Sequence, residues 1–263
     1  MAFARVNGGV AHFAWEGGGG RHALVFINSL GTDFRIWDDI VAPFASRYAT
    51  LRYDKRGHGL SELIAGEASM TDYANDLAAL MDQREVKRAT IIGLSIGGMI
   101  AQELYRRRPD LVASLILCDT AAKIGTEEMW ANRIREVEAG GIEAIADAVL
   151  QRWFSADFRK NRTIELTGWR AMLTRTPLAG YLQACGALRR ADLRAHAGAI
   201  KVPTLCVVGD EDGSTPPALV RETAELIPQA KFEIINGAGH VPNLEKPAAL
   251  VGLIEAHLKI VPA

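Results

Sequence analysis

Apolar residues along this chain follow two rhythms. "HALVFINS" (22–29), "YATLRYD" (48–54), "ATIIGL" (89–94) and "LVASLILCDT" (111–120) are short apolar runs. Such runs mark strands covered on both faces. Between them, "DFRIWDDIVAPFAS" (33–46), "TDYANDLAALMDQRE" (71–85) and residues 96–108 space their apolar positions as helices do. Thr32 is placed to cap the first of these, and Pro109 stops the third. Ahead of them, "FARV" and "AHFAWEG" flank Asn7-Gly8-Gly9, which suits a tight hairpin turn. Strands alternating with helices predict an α/β fold, a mostly parallel sheet flanked by helices on both faces.

The alternation stops at about Ala121. "TEEMWANRIREVEAGG", "IEAIADAVLQRWF", "NRTIELTGWRAMLTR" and "PLAGYLQACGALRR" all read as helices. The first opens on a threonine cap with acidic first-turn residues and closes on glycines. Strand and helix then resume with "VPTLCVVGDED" (202–212), "PALVRETAELI" (217–227), "KFEIING" (231–237) and "NLEKPAALVGLIEAHL" (243–258). The expected organisation is one core of residues 1–120 and 191–263, with a helical cap of residues 121–190 inserted over the sheet edge. "GGGG" (17–20) reads as a loop, and no internal repeat is found.

Composition narrows the function classes. The 30 basic and 31 acidic side chains almost cancel. That balance gives no electrostatic case for a nucleic-acid partner or an anionic membrane. No apolar run approaches the roughly 20 residues a membrane span needs. "MAFARVNGGVAHFAWEG" lacks the basic, apolar and cleavage regions of a secretory signal. Cys118, Cys185 and Cys206 are scattered and odd in number, so neither a disulfide framework nor a zinc site is expected. A cytoplasmic location fits best.

"ATIIGLSIGGMIAQEL" (89–104) carries the chemistry. Gly93-Leu94-Ser95-Ile96-Gly97 is a G-x-S-x-G sequence between a predicted strand and a predicted helix. In a nucleophile elbow the serine sits on a sharp, strained turn, and small neighbours let the backbone pass close to itself. The turn also sets the helix N-terminus, with its unpaired N–H groups, beside the reacting oxygen. The plainer reading is a strand-to-helix turn whose serine caps the helix.

A serine nucleophile needs a base, and the base needs an orienting acid. In the elbow architecture the acid and then the histidine follow the serine along the chain. His12, His22 and His58 precede Ser95, and His196 precedes the strand expected to carry the acid. His257 lies on the last predicted helix and reads as surface. His240, in "INGAGHVPNLEKP", follows a strand in a glycine-rich loop and is the expected base. "VVGDEDGSTPP" offers Asp210, Glu211 and Asp212. Asp212 lies farthest beyond the strand end and is the expected acid, with Asp210 as the alternative. The expected oxyanion donors are the N–H groups of Ile96 and of Leu30, in the loop after "ALVFIN". No HExxH or clustered His/Asp set is visible, so no metal is expected.

Several stretches together resemble the 3-oxoadipate enol-lactonases of the α/β-hydrolase fold. They are "INSLGTDFRIWD", "LRYDKRGHGLSE", "IIGLSIGGMIAQEL", "CDTAAKIGTEEMWANRIREV", "VVGDEDGSTPP" and "GAGHVPNLEKP". The elbow and histidine loop are shared across the fold. "NSLGTD", "AAKIGTEEMWANRI" and "GSTPP" point to the enol-lactonases. The resemblance implies the Ser95/Asp212/His240 roles, no cofactor, and a step of aromatic catabolism in the β-ketoadipate pathway. Ile96 stands where methionine is common in the family, which changes pocket shape but not the N–H.

The substrate so implied is a small anionic lactone, and its carboxylate needs a partner. Trp130 and Arg133 are three apart in "EEMWANRIRE" and share a helix face. The guanidinium suits a carboxylate and the indole suits the ring wall. Arg133 also reads as solvated surface, and Trp130 as packing between insertion and core. Two other readings remain open on the same residues: a broader carboxylesterase, and a non-catalytic ligand receptor of this fold. A dehalogenase would need an aspartate where Ser95 stands.

Overall fold

The computed structural model describes residues 1–17 and 22–261. Of the expected "GGGG" loop, Gly18 to Gly20 lie outside the described residues. The chain opens with β1 (Ala2–Val6) and β2 (Gly9–Glu16), joined at Asn7 and Gly8, both with positive φ. Two left-handed residues are what a two-residue hairpin needs to match the strand twist. β3 (Ala23–Ile27) follows, then α1 (Asp38–Val41), β4 (Ala49–Tyr53), α2 (Met70–Gln83), β5 (Ala89–Leu94), α3 (Ile96–Arg107) and β6 (Val112–Cys118).

From β6 the chain runs through helices alone: α4 (Glu127–Gly140), α5 (Ala146–Trp153), α6 (Ala156–Asn161), α7 (Thr163–Thr174), α8 (Leu178–Arg190) and α9 (Arg194–Ala197). It returns to the sheet with β7 (Thr204–Gly209), α10 (Pro217–Leu226), β8 (Lys231–Ile235), α11 (Pro242–Glu245) and α12 (Pro247–Leu258). The sheet order is β1-β2-β4-β3-β5-β6-β7-β8. The hairpin is antiparallel, β2 meets β4 antiparallel, and every later pairing is parallel. All residues of β3 to β7 are buried, as strands under helices on both faces must be.

Three expectations are corrected. The helix expected over 33–46 breaks into a 3₁₀ turn at Phe34–Trp37, the short α1, and a second 3₁₀ turn at Ala42–Phe44 that contains Pro43. Pro43 brings no N–H to the second turn, so no single ladder runs through the segment. Its cap is Asp33, whose side chain accepts from the Arg35 N–H, while the Thr32 hydroxyl donates to the Ser29 carbonyl at 2.9 Å. The helix expected over 243–258 divides at Lys246, because Pro247 disfavours helical backbone at the residue before it. His257 is buried rather than on the surface, and burial and the charge of Lys231 push its pKa down to about 4.

Strands also end earlier than their apolar runs suggest. Asn28, Ser29, Asp119, Thr120 and Asp210 to Asp212 lie past the last paired residues of β3, β6 and β7. They form loops at the C-terminal edge of the sheet, where open α/β folds gather their ligands.

Candidate active site

The turn from β5 into α3 is tight enough to explain its glycines. A Cβ on Gly93 would stand 2.3 Å from the Gly97 carbonyl oxygen, and one on Gly97 would stand 2.3 Å from that of Ile27. Ser95 between them has φ 58° and ψ −120°. That is a costly conformation for a residue with a side chain, and it persists only where its surroundings enforce it. The enforcement is visible: the Ser95 N–H donates to the Cys118 carbonyl at 2.9 Å, and the Thr120 hydroxyl donates to the Ser95 carbonyl at 2.6 Å. The Ser95 side chain does not cap α3. Its hydroxyl has no hydrogen-bond partner among the described residues and faces a cavity of about 160 Å³.

His240 lines the same cavity. Its Nδ1 lies 2.9 Å from Asp212 Oδ2. The other contacts of Asp212 define its charge state. Oδ1 accepts the N–H groups of Ser214 at 2.7 Å and Thr215 at 3.0 Å, and Oδ2 accepts the Thr215 hydroxyl at 2.6 Å. Burial pushes the Asp212 carboxyl up, but the charge of His240 and the bonds from His240 and Thr215 outweigh it and hold the group below its ordinary range. An ionised Asp212 requires the proton on His240 Nδ1, which leaves Nε2 as a proton acceptor. Asp210 is used elsewhere: it accepts the N–H groups of Gly237 and Ala238.

The expected oxyanion groups sit at the same place. Leu30 and Ser29 line the cavity, and Ile96 begins α3 beside Ser95. The loop is braced through the Ser29 carbonyl, which accepts from the Thr32 hydroxyl and from Lys55 Nζ at 2.5 Å. Lys55 is fully buried, and burial pushes its amine down to about 7. No sequence signal marked this lysine as a brace, since its partner is 26 residues away.

Trp130 and Arg133 both reach the cavity. The Trp130 indole N–H donates to the Ile124 carbonyl at 2.7 Å, so the ring is a fixed wall. Arg133 Nη1 donates to the Tyr181 hydroxyl at 3.3 Å. A second guanidinium, Arg152, lines the cavity as well and was missed by sequence reasoning.

Folding also assembles a His/Asp set that linear spacing hid. Asp119, Asp212 and His240 offer oxygen and nitrogen atoms within 4.8 Å of one another. Their chemistry suits a proton-sharing cluster better than a metal. Burial, and then the charge of Asp212, push the Asp119 carboxyl well up, which works against the ionised form that a metal ligand needs. Asp212 and His240 are already bonded to each other.

A serine held at positive φ, an imidazole bonded to a buried carboxylate and the Leu30 loop, all at one cavity, are parts from which acyl transfer can be built. The family model described as alpha/beta hydrolase family matches residues 24–253. The chain belongs to that family. This hydrolase is 33% identical to 3-oxoadipate enol-lactonase 2 of Acinetobacter baylyi, over 94% of its own length and 92% of the relative's. The enol-lactonase from Burkholderia xenovorans LB400 superposes with a TM-score of 0.94 at 37% identity, covering 98% of this chain and 100% of the other. A thermophilic esterase from Thermogutta terrifontis, solved with malate bound, gives a TM-score of 0.93 at 28% identity with full coverage of both chains.

Proposed function

We propose that this hydrolase opens 3-oxoadipate enol-lactone to 3-oxoadipate through an acyl-enzyme. Ser95 is the nucleophile, His240 the base and Asp212 the orienting acid. The observation that carries the reading is Ser95, held at positive φ, and the His240–Asp212 pair opening on one cavity, in a chain 33% identical to an enol-lactonase over nearly its whole length.

His240 Nε2 takes the Ser95 proton as Oγ attacks the lactone carbonyl. The oxyanion is received by the N–H groups of Ile96 and Leu30. Collapse breaks the acyl–oxygen bond and expels the enol oxygen, which stays tethered because the ester is cyclic. The His240 imidazolium gives its proton to that oxygen, and the enol tautomerises to the ketone. Water, deprotonated by His240, then attacks the acyl-enzyme and releases the second carboxylate with Ser95 regenerated. Asp212 fixes the imidazole tautomer and stabilises its cation throughout. No cofactor takes part. Residues 121–190 serve as the cap that roofs the cavity over a core of 1–120 and 191–263. The enzyme works in the cytoplasm, in the β-ketoadipate pathway of aromatic catabolism.

A broader carboxylesterase is the second reading, favoured by the likeness to the malate-bound esterase. A substrate panel separates the two. An enol-lactonase prefers the anionic lactone over neutral aryl esters by a large ratio of kcat/KM, whereas a general esterase turns over both classes at comparable kcat/KM.

A further inference from the structure

Two guanidiniums, Arg133 and Arg152, line the cavity beside Ser95, and no carboxylate does so among the described residues. They are not equivalent. Arg133 is committed: it donates to the Tyr181 hydroxyl and lies 4.0 Å from Glu136. Arg152 is half-buried and has no hydrogen bond or ion pair from its guanidinium among the described residues. Burial, then the charge of Arg133, push the Arg152 guanidinium down from its ordinary range. A desolvated cation beside a second cation is an unfavourable arrangement that an incoming anion relieves.

The backbone of Arg152 is fixed relative to the catalytic groups. Its carbonyl accepts the Gly213 N–H at 3.2 Å, one residue after Asp212. The next carbonyl, that of Trp153, accepts the His240 N–H at 2.8 Å. Gly213 packs so closely that a Cβ there would stand 3.2–3.3 Å from Cα, Cβ and Cγ of Arg152. The stem is therefore confined between α5 and the acid loop, and the guanidinium is presented to the cavity at little further cost in conformational entropy.

We propose that Arg152 is the specificity-determining residue that binds the substrate carboxylate, with Arg133 as a supporting charge, and that the site selects small esters or lactones bearing a carboxylate. This rests on the reading of Ser95, His240 and Asp212 as a hydrolytic triad. It assigns the anion to a side chain 19 residues beyond the one that helix-face spacing suggested. The cavity is small, below the roughly 300–1,000 Å³ of drug-sized pockets, which fits a compact substrate.

The test compares wild type, Arg152→Met, Arg152→Lys and Arg133→Met on two substrates, 3-oxoadipate enol-lactone and p-nitrophenyl acetate. Arg152→Met is expected to lower the ratio of kcat/KM for lactone over ester by about tenfold or more, the scale of one lost hydrogen bond to a charged group, mainly through KM. Arg152→Lys is expected to recover part of that ratio, and Arg133→Met to change it less. Adipate is used in parallel as a competitive inhibitor of p-nitrophenyl acetate hydrolysis, and its inhibition constant is expected to rise by about the same factor in Arg152→Met. An unchanged ratio and inhibition constant, or an equal loss on both substrates, overturns the proposal. The adipate measurement needs no lactone turnover. Failure of wild type on the lactone therefore rejects the enol-lactonase reading separately from the role of Arg152.

Discussion

The backbone N–H of His240 donates to the carbonyl of Trp153 at 2.8 Å. This bond ties the His240 loop to the end of α5, and Glu245 doubles the tie. Its Oε2 accepts the N–H and hydroxyl of Ser155, and its Oε1 accepts the Gly239 N–H at 2.7 Å. The α5–α6 junction is thus held to the loop of His240, the proposed base. Glu245→Ala leaves three buried donors without their acceptor. The expected result is a loss of about 3 kcal/mol of stability, a Tm lower by roughly 6–12 °C, and a fall in kcat, read by thermal denaturation and by the lactone assay.

The elbow glycines are set by steric contact. Gly97→Ala would drive a methyl against the Ile27 carbonyl and force β3 and α3 apart. A cost of about 3 kcal/mol or more is expected, with loss of activity even in the folded fraction. Gly252→Ala, where a Cβ meets nothing within 4 Å, is the control and is expected to be neutral or slightly stabilising.

Asp119 and Asp212 titrate in opposite directions. Asp212, held low, contributes stability above the ordinary carboxyl pKa, and that contribution is lost as pH falls. Asp119, held high, takes up a proton on folding, so its contribution is present at acid pH and is lost as pH rises through its folded value. Asp119→Asn keeps an acceptor for the Gly209 N–H and carries no titratable proton. The expected outcome is that wild type loses stability relative to Asp119→Asn as pH rises above about 4, measured by urea unfolding across pH. Asp212→Asn, by contrast, is expected to cost about 10⁴ in kcat through the wrong imidazole tautomer.

Lys55 gives a third pH signature. Its amine is about 7 when folded against the ordinary 10.5. Between those values the unfolded chain holds a proton that the native one has released, so stability rises with pH across that window. Lys55→Met removes this slope. It also takes from the Ser29 carbonyl its Nζ donor, and a fall in kcat on the lactone is expected as the Leu30 N–H loses its fixed direction. Unfolding titrations from pH 6 to 10 read the first effect and steady-state kinetics the second.

The sheet and the Ser95–His240–Asp212 geometry were legible because their signals are local. Each apolar run marks its own strand, and the elbow, the acid turn and the histidine loop each occur at a strand end in the expected order. What was not legible depends on groups brought together from far apart. Thr120 and Ser95 are 25 residues apart, Glu245 and Ser155 are 90 apart, and Arg152 meets the acid loop across 61 residues. His257 has the sequence context of an exposed helix end, and only the packing of α12 shows that it is buried. The broken 33–46 segment was misread because its apolar spacing is helical, while Pro43 keeps it in separate short turns.

The most direct measurement follows the ultraviolet absorbance of freshly prepared 3-oxoadipate enol-lactone with wild type and with Ser95→Ala. The account predicts rapid loss of absorbance with wild type and a rate near the spontaneous one with the folded variant. Comparable turnover by both proteins would contradict the role of Ser95. Wild-type turnover of p-nitrophenyl acetate without turnover of the lactone would contradict the proposed substrate.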